Sequence, residues 1–77
     1  MNFKQVKFDN ISVVIEKGER DADDGNTVYE VVQTVDIDGV TAESALGFYD
    51  EDRRDECFEK YGEEHARHFF KVISQFV

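Results

Sequence analysis

Thr27-Val28-Tyr29-Glu30-Val31-Val32-Gln33-Thr34-Val35-Asp36-Ile37-Asp38-Gly39-Val40-Thr41-Ala42-Glu43-Ser44-Ala45-Leu46-Gly47-Phe48 is the stretch that decides how this chain folds. Asp38-Gly39 suits a type I′ hairpin turn, whose two central residues both need positive φ. Centring the turn there sets Ile37 opposite Val40, Val35 opposite Ala42 and Gln33 opposite Ser44. Val31 then meets Leu46, and Tyr29 meets Phe48. Four apolar pairs and one polar pair share a face. A slip of one residue would move Asp36 and Glu30 onto that face, so the pattern selects this register. Strands are predicted over about Thr27–Ile37 and Val40–Phe48.

Toward the N-terminus, Gly18-Glu19-Arg20-Asp21-Ala22-Asp23-Asp24-Gly25-Asn26 reads as a polar loop, with Ala22 its one apolar residue. Before it, the apolar alternation changes phase. Val6 and Phe8 fall on even numbers, whereas Ile11, Val13 and Ile15 fall on odd ones. A two-residue loop at Asp9-Asn10 explains the switch by pairing Phe8 with Ile11 and Val6 with Val13. Asn and Asp tolerate the required backbone. A bulge in one long strand is the competing explanation.

Beyond Asp50 the period becomes helical. Asp50 or Asp52 can cap the helix, and early acids suit its positive end. Phe58, Tyr61, His65, Phe69, Val72 and Phe76 fall on one face at 100° per residue. Gly62 either allows a continuous helix to approach the sheet or breaks it in two. The expected fold class is α+β: a four-stranded antiparallel β-meander with a C-terminal helix packed on one face. Residues 1–77 read as a single domain, β-rich over 1–49 and helical over 50–77.

Composition narrows the function. Eighteen acids against nine bases give a net charge of −9, and residues 18–56 hold thirteen of the acids with only Arg20, Arg53 and Arg54 against them. Nucleic acid and anionic membranes both require a basic footprint, so neither is an expected partner. Apolar residues are 40% of the chain and aromatics 13%, enough to form a core rather than a disordered segment. The one cysteine, Cys57, cannot form an internal disulfide, and Met1–Lys7 is not followed by an apolar h-region. Both features point to a cytoplasmic protein.

Motifs for chemistry are weak. Asp21–Asn26 has the composition of a calcium loop, but no register supplies the EF-hand spacing of ligands and glycine. His65 and His68 lie three apart without a third ligand. Cys57 is two helical turns, roughly 12 Å, from His65 unless the chain kinks at Gly62. No phosphate loop or nucleophile elbow is present. The expectation is a non-enzyme with no metal, cofactor or catalytic residue.

The informative surface feature is a row of acids. On one continuous helical wheel Asp52, Asp55, Glu56, Glu59 and Glu63 fall within about 100° of arc, opposite the apolar face. Like-charge i,i+4 pairs among them oppose helix formation, while Glu56–Lys60 and Glu63–Arg67 offset part of that cost. Phe70 points with the acids and offers an aromatic anchor. The expected function is an acidic protein-binding module, an inhibitor or regulator that docks this surface onto a basic, nucleic-acid-binding site of a partner protein. It would act as a nucleic-acid mimic. Small acidic phage and mobile-element proteins that disarm host defence are an analogy in size and charge. The alternatives are a structural module, such as a homodimer formed through an edge strand or Phe70, and a small metal-binding or enzymatic domain.

Overall fold

A computed structural model describes residues 2–77. Four strands form one antiparallel sheet in the order β1-β2-β3-β4, over Phe3–Phe8, Ile11–Asp21, Thr27–Ile37 and Val40–Phe48. Helices α1 (Glu51–Lys60) and α2 (Glu63–Ile73) follow, and a 3₁₀ turn spans Ser74–Phe76. The fold is α+β, as expected.

Both hairpins take the expected registers. Ile37 pairs with Val40 and Tyr29 with Phe48, while Phe8 pairs with Ile11 and Val6 with Val13. Asp38 and Gly39 both have positive φ, 50° and 82°, and Asp9 has a φ of 52°. Local turn chemistry thus fixes two of the three strand pairings. The third is the expected antiparallel neighbour but runs longer than the sequence predicts. β2 does not stop at Gly18 but continues to Asp21, with Gly18 opposite Glu30 and Asp21 opposite Thr27. The loop shrinks to Ala22–Asn26. No apolar pattern marks Gly18–Asp21 as strand. Those residues are extended because β3 supplies a ladder beside them, reinforced by Arg20 bonding to Glu30 at 3.2 Å.

The helices cover one face. Val13, Ile15, Val31 and Val35 are fully buried beneath them, joined by Phe8, Phe58, Tyr61, Ala66 and Phe69. Each large aliphatic so removed from water contributes about 1.5–3 kcal/mol of transfer free energy. The expected polar pair on this face is built into the core. Gln33 is buried beside Ile15 and accepts a hydrogen bond from the Tyr61 hydroxyl.

The chain breaks between the helices. Tyr61 and Gly62 are both extended, with φ of −62° and ψ of 121° at Tyr61, and φ of −139° at Gly62. The Tyr61 N–H still bonds back to the Cys57 carbonyl at 3.0 Å, closing α1. At the start of α2 the His65 Nδ1 accepts from the Gly62 N–H at 3.1 Å. The break resets the helical phase, which corrects the single wheel. α2 turns Ala66, Phe69, Phe70 and Ile73 toward the core. His65, Val72 and Phe76 face out, with Phe76 82% exposed.

Candidate functional site

α1 is fastened to the sheet by a residue that charge counting hides. Arg54 is only 6% exposed. It stands four before Phe58 and seven before Tyr61, so the three share the sheet-facing stripe. Its guanidinium donates to the Gly18 carbonyl at 2.8 Å, to Asp55 at 2.6 Å and to Glu51 at 3.3 Å. It also lies 5.3 Å from the centre of the Tyr29 ring. A buried guanidinium must find such partners to offset the loss of its hydration. Two strand lysines complete the attachment. Lys4 and Lys17 sit over the Phe58 ring at 4.9 and 5.0 Å, Lys17 also pairs with Asp55 at 3.3 Å, and Lys4 donates to the Glu59 carbonyl at 3.4 Å.

These contacts sort the predicted acidic row. Asp52 and Glu59 are exposed on α1, and among the described residues their carboxylates make no ion pair. Asp55 is half-buried, and the hydrogen bond from Arg54, with help from Lys17, holds its carboxyl below the ordinary range. Glu56 is exposed and bonded to Lys60 at 2.6 Å, which lowers its pKa and raises that of Lys60. Glu63 stands apart. It opens α2 and binds Arg67 at 2.8 Å, and Arg67 reaches on to Asp9 at 3.5 Å and over the Phe8 ring at 4.8 Å. Phe70 is not an exposed anchor. It is half-buried and meets Phe8 edge to face, 5.8 Å between centroids. The phase reset at Tyr61-Gly62 explains both departures from the single wheel.

The tertiary structure gathers a different set of acids. Tyr29 of β3 pairs with Glu19 on one side and Phe48 on the other, so β2 ends and α1 begins at the same end of the sheet. Glu19, Asp21, Asp23 and Asp24 therefore share a pole with Asp50, Glu51 and Asp52. Of the bases there, two are engaged, while Arg53 is exposed and makes no ion pair among the described residues. Arg54 is buried in its own bonds, and Arg20 pairs with Glu30. Asp24 accepts from the Asn26 backbone and side chain, both at 3.0 Å, which lowers its pKa. Asp50 caps α1 by accepting from the Asp52 N–H at 2.8 Å. Beside them Tyr49 is 71% exposed and, with Tyr29, Asp24 and Asn26, borders a shallow depression. Helical spacing in the sequence could have revealed Arg54. Nothing in it marks Tyr49, whose exposure depends on how the β4–α1 connection is held.

The residues weighed for chemistry meet elsewhere. A groove of about 560 Å³ runs between β4 and α2, lined by Cys57, Glu64, His65 and His68 together with apolar Leu46 and Val72. The break at Gly62 thus brings Cys57 and both histidines to one groove. Burial pushes the Cys57 thiol up, away from the reactive thiolate. His65 is engaged as the α2 cap and lies 5.2 Å from the Tyr61 ring. Among the described residues no group of three or more His, Cys, Asp or Glu side chains is placed to hold a metal ion, and no helix is long and apolar enough to cross a membrane. Comparison with protein-family models, curated proteins and solved structures finds no match to this chain.

Proposed function

We propose that the chain is a non-catalytic binding protein that docks its acidic pole, continued along α1 by Asp55, Glu56 and Glu59, onto a basic surface of a partner protein. One observation carries this reading. Acids from two distant segments, 19–24 and 50–52, share one end of the sheet and outnumber the bases there, of which Arg54 is buried in its own bonds and Arg20 pairs with Glu30, and Tyr49 stands exposed among the acids. Such a field attracts a basic partner and speeds encounter, and a projecting aromatic supplies an anchor. A basic surface that binds nucleic acid is the natural target, so occupation by this chain would inhibit the partner.

Affinity capture followed by binding measurements over a salt series tests the proposal. The captured partner should bind more weakly as salt rises. Combining Asp21→Asn, Asp23→Asn and Asp52→Asn should weaken it at least tenfold, about 1.4 kcal/mol, without unfolding the chain. Full affinity in that variant and in Tyr49→Ala would sink the proposal.

A further inference from the structure

The sheet has two edges of unlike chemistry. β1 is six residues long and carries Lys4 and Lys7, and lysines on an edge discourage pairing with another chain. β4 is nine residues long, with Glu43 as its one charged residue and no proline. Val40, Thr41, Glu43, Ala45, Leu46 and Gly47 are all exposed along it. On the helical side of the sheet the helices leave Leu46 42% and Val40 48% exposed, beside the groove described above.

The Asp38-Gly39 turn determines which backbone groups of β4 are free. In a two-residue hairpin the flanking residues, Ile37 and Val40, exchange both hydrogen bonds, and bonded and non-bonded pairs alternate from there. The even-numbered residues of β4 therefore bond to β3. The N–H and C=O groups of Thr41, Glu43, Ala45 and Gly47 point out of the sheet.

We propose that β4 pairs antiparallel with β4 of a second copy of this chain, about a two-fold axis at Ser44, joining the two sheets into one. In this register Thr41 faces Gly47 and Glu43 faces Ala45 of the second copy, so the outward groups of each strand meet their counterparts. The whole strand overlaps. Sliding by two residues one way sets Glu43 against its own copy, and like charges directly opposite are destabilising. Sliding the other way shortens the ladder. On the helical side Leu46 meets Ala42, and Val40 meets Phe48, which covers the apolar side chains that α1 and α2 leave open. Phe70, the other candidate for self-association, is spent on Phe8.

The charge of the chain supplies a signature. Two molecules of net charge −9 repel at long range, and Asp38 of one copy lies just beyond the ladder from Asp50 of the other. Added salt screens both effects. Dimerisation should therefore tighten as salt rises, opposite in sign to docking of the acidic pole.

Sedimentation equilibrium across protein and salt concentrations tests the proposal, with circular dichroism confirming the fold. The wild type should show a monomer–dimer equilibrium that shifts toward dimer with salt. Ala45→Lys places an opposite charge across from Glu43 twice per dimer and should tighten it about threefold. Ala45→Glu should weaken it by at least that factor. Asp23→Asn, which changes net charge away from β4, should move the equilibrium less than Ala45→Lys does. Ala45→Pro removes an N–H that serves no bond to β3 and should abolish the dimer. If that variant fails to fold, the two exposed charge substitutions still decide the matter. A wild type that stays monomeric under all conditions overturns the proposal, as does a dimer indifferent to the charge at position 45.

Discussion

Replacing Arg54 with alanine should cost this chain far more than an ordinary surface charge would. Three losses add. The Gly18 carbonyl loses the charged donor that lies 2.8 Å away, and a hydrogen bond to a charged group contributes about 1.5–3 kcal/mol. The guanidinium leaves the Tyr29 ring, a contact of about 0.5–1 kcal/mol. The pairs with Glu51 and Asp55 vanish, but those carboxylates are 57% and 41% exposed, so each pair contributes only about 0.2–1 kcal/mol. Against this stands the recovered hydration of a buried charge. The net expectation is a loss of about 2–4 kcal/mol, a large share of the roughly 4–11 kcal/mol available to a domain of this size. Arg54→Met keeps the cover over Tyr29 and should lose about 1–2 kcal/mol less. Urea denaturation followed by circular dichroism measures both. Hydrogen exchange should also show the first turns of α1 loosening, because Arg54 ties that end to β2. A loss below about 0.5 kcal/mol for Arg54→Ala would refute the role of Arg54 in fastening α1 to the sheet.

Three further outcomes are expected. A methyl at position 47 would sit 2.9 Å from Val28 Cγ1, so Gly47→Ala should destabilise by about 1–3 kcal/mol in thermal melts; an unchanged melt would show that Val28 can yield. Burial, aided by the charge of Cys57, pushes the Tyr61 hydroxyl from 10.0 up to about 12. The fold favours the neutral phenol, so its contribution is complete below pH 10 and is lost as pH rises to about 12, by at most about 2–3 kcal/mol; denaturation in Tyr61→Phe should lack this alkaline limb. The combination Glu56→Gln, Glu59→Gln and Glu63→Gln should leave stability within about 1 kcal/mol, since it removes repulsion within α1 together with the exposed pairs to Lys60 and Arg67; a larger fall would mean that the row serves folding.

The sequence by itself determined the features whose causes lie within a few residues. Asp38-Gly39 dictates its own turn, and the alternating apolar side chains then allow one register for that hairpin, because a slip by one would bury Asp36 and Glu30; at Asp9-Asn10 the change of apolar phase points to the turn. The change of period after Asp50 likewise announces helix. Only the tertiary structure decided the rest. Gly18–Asp21 is strand because β3 lies alongside, a cause some ten residues away. Gly62 marked a place where the helix could break, yet it gave no direction for α2. The direction follows from Ala66, Phe69 and Phe70 reaching the core, and it turned Phe70 inward and separated Glu63 from the α1 acids. The acidic pole has the same origin. Asp21, Asp23, Asp50 and Asp52 lie in two segments that helical and strand periodicity treat separately, and they share one end of the sheet only because β2 and β4 both pair with β3.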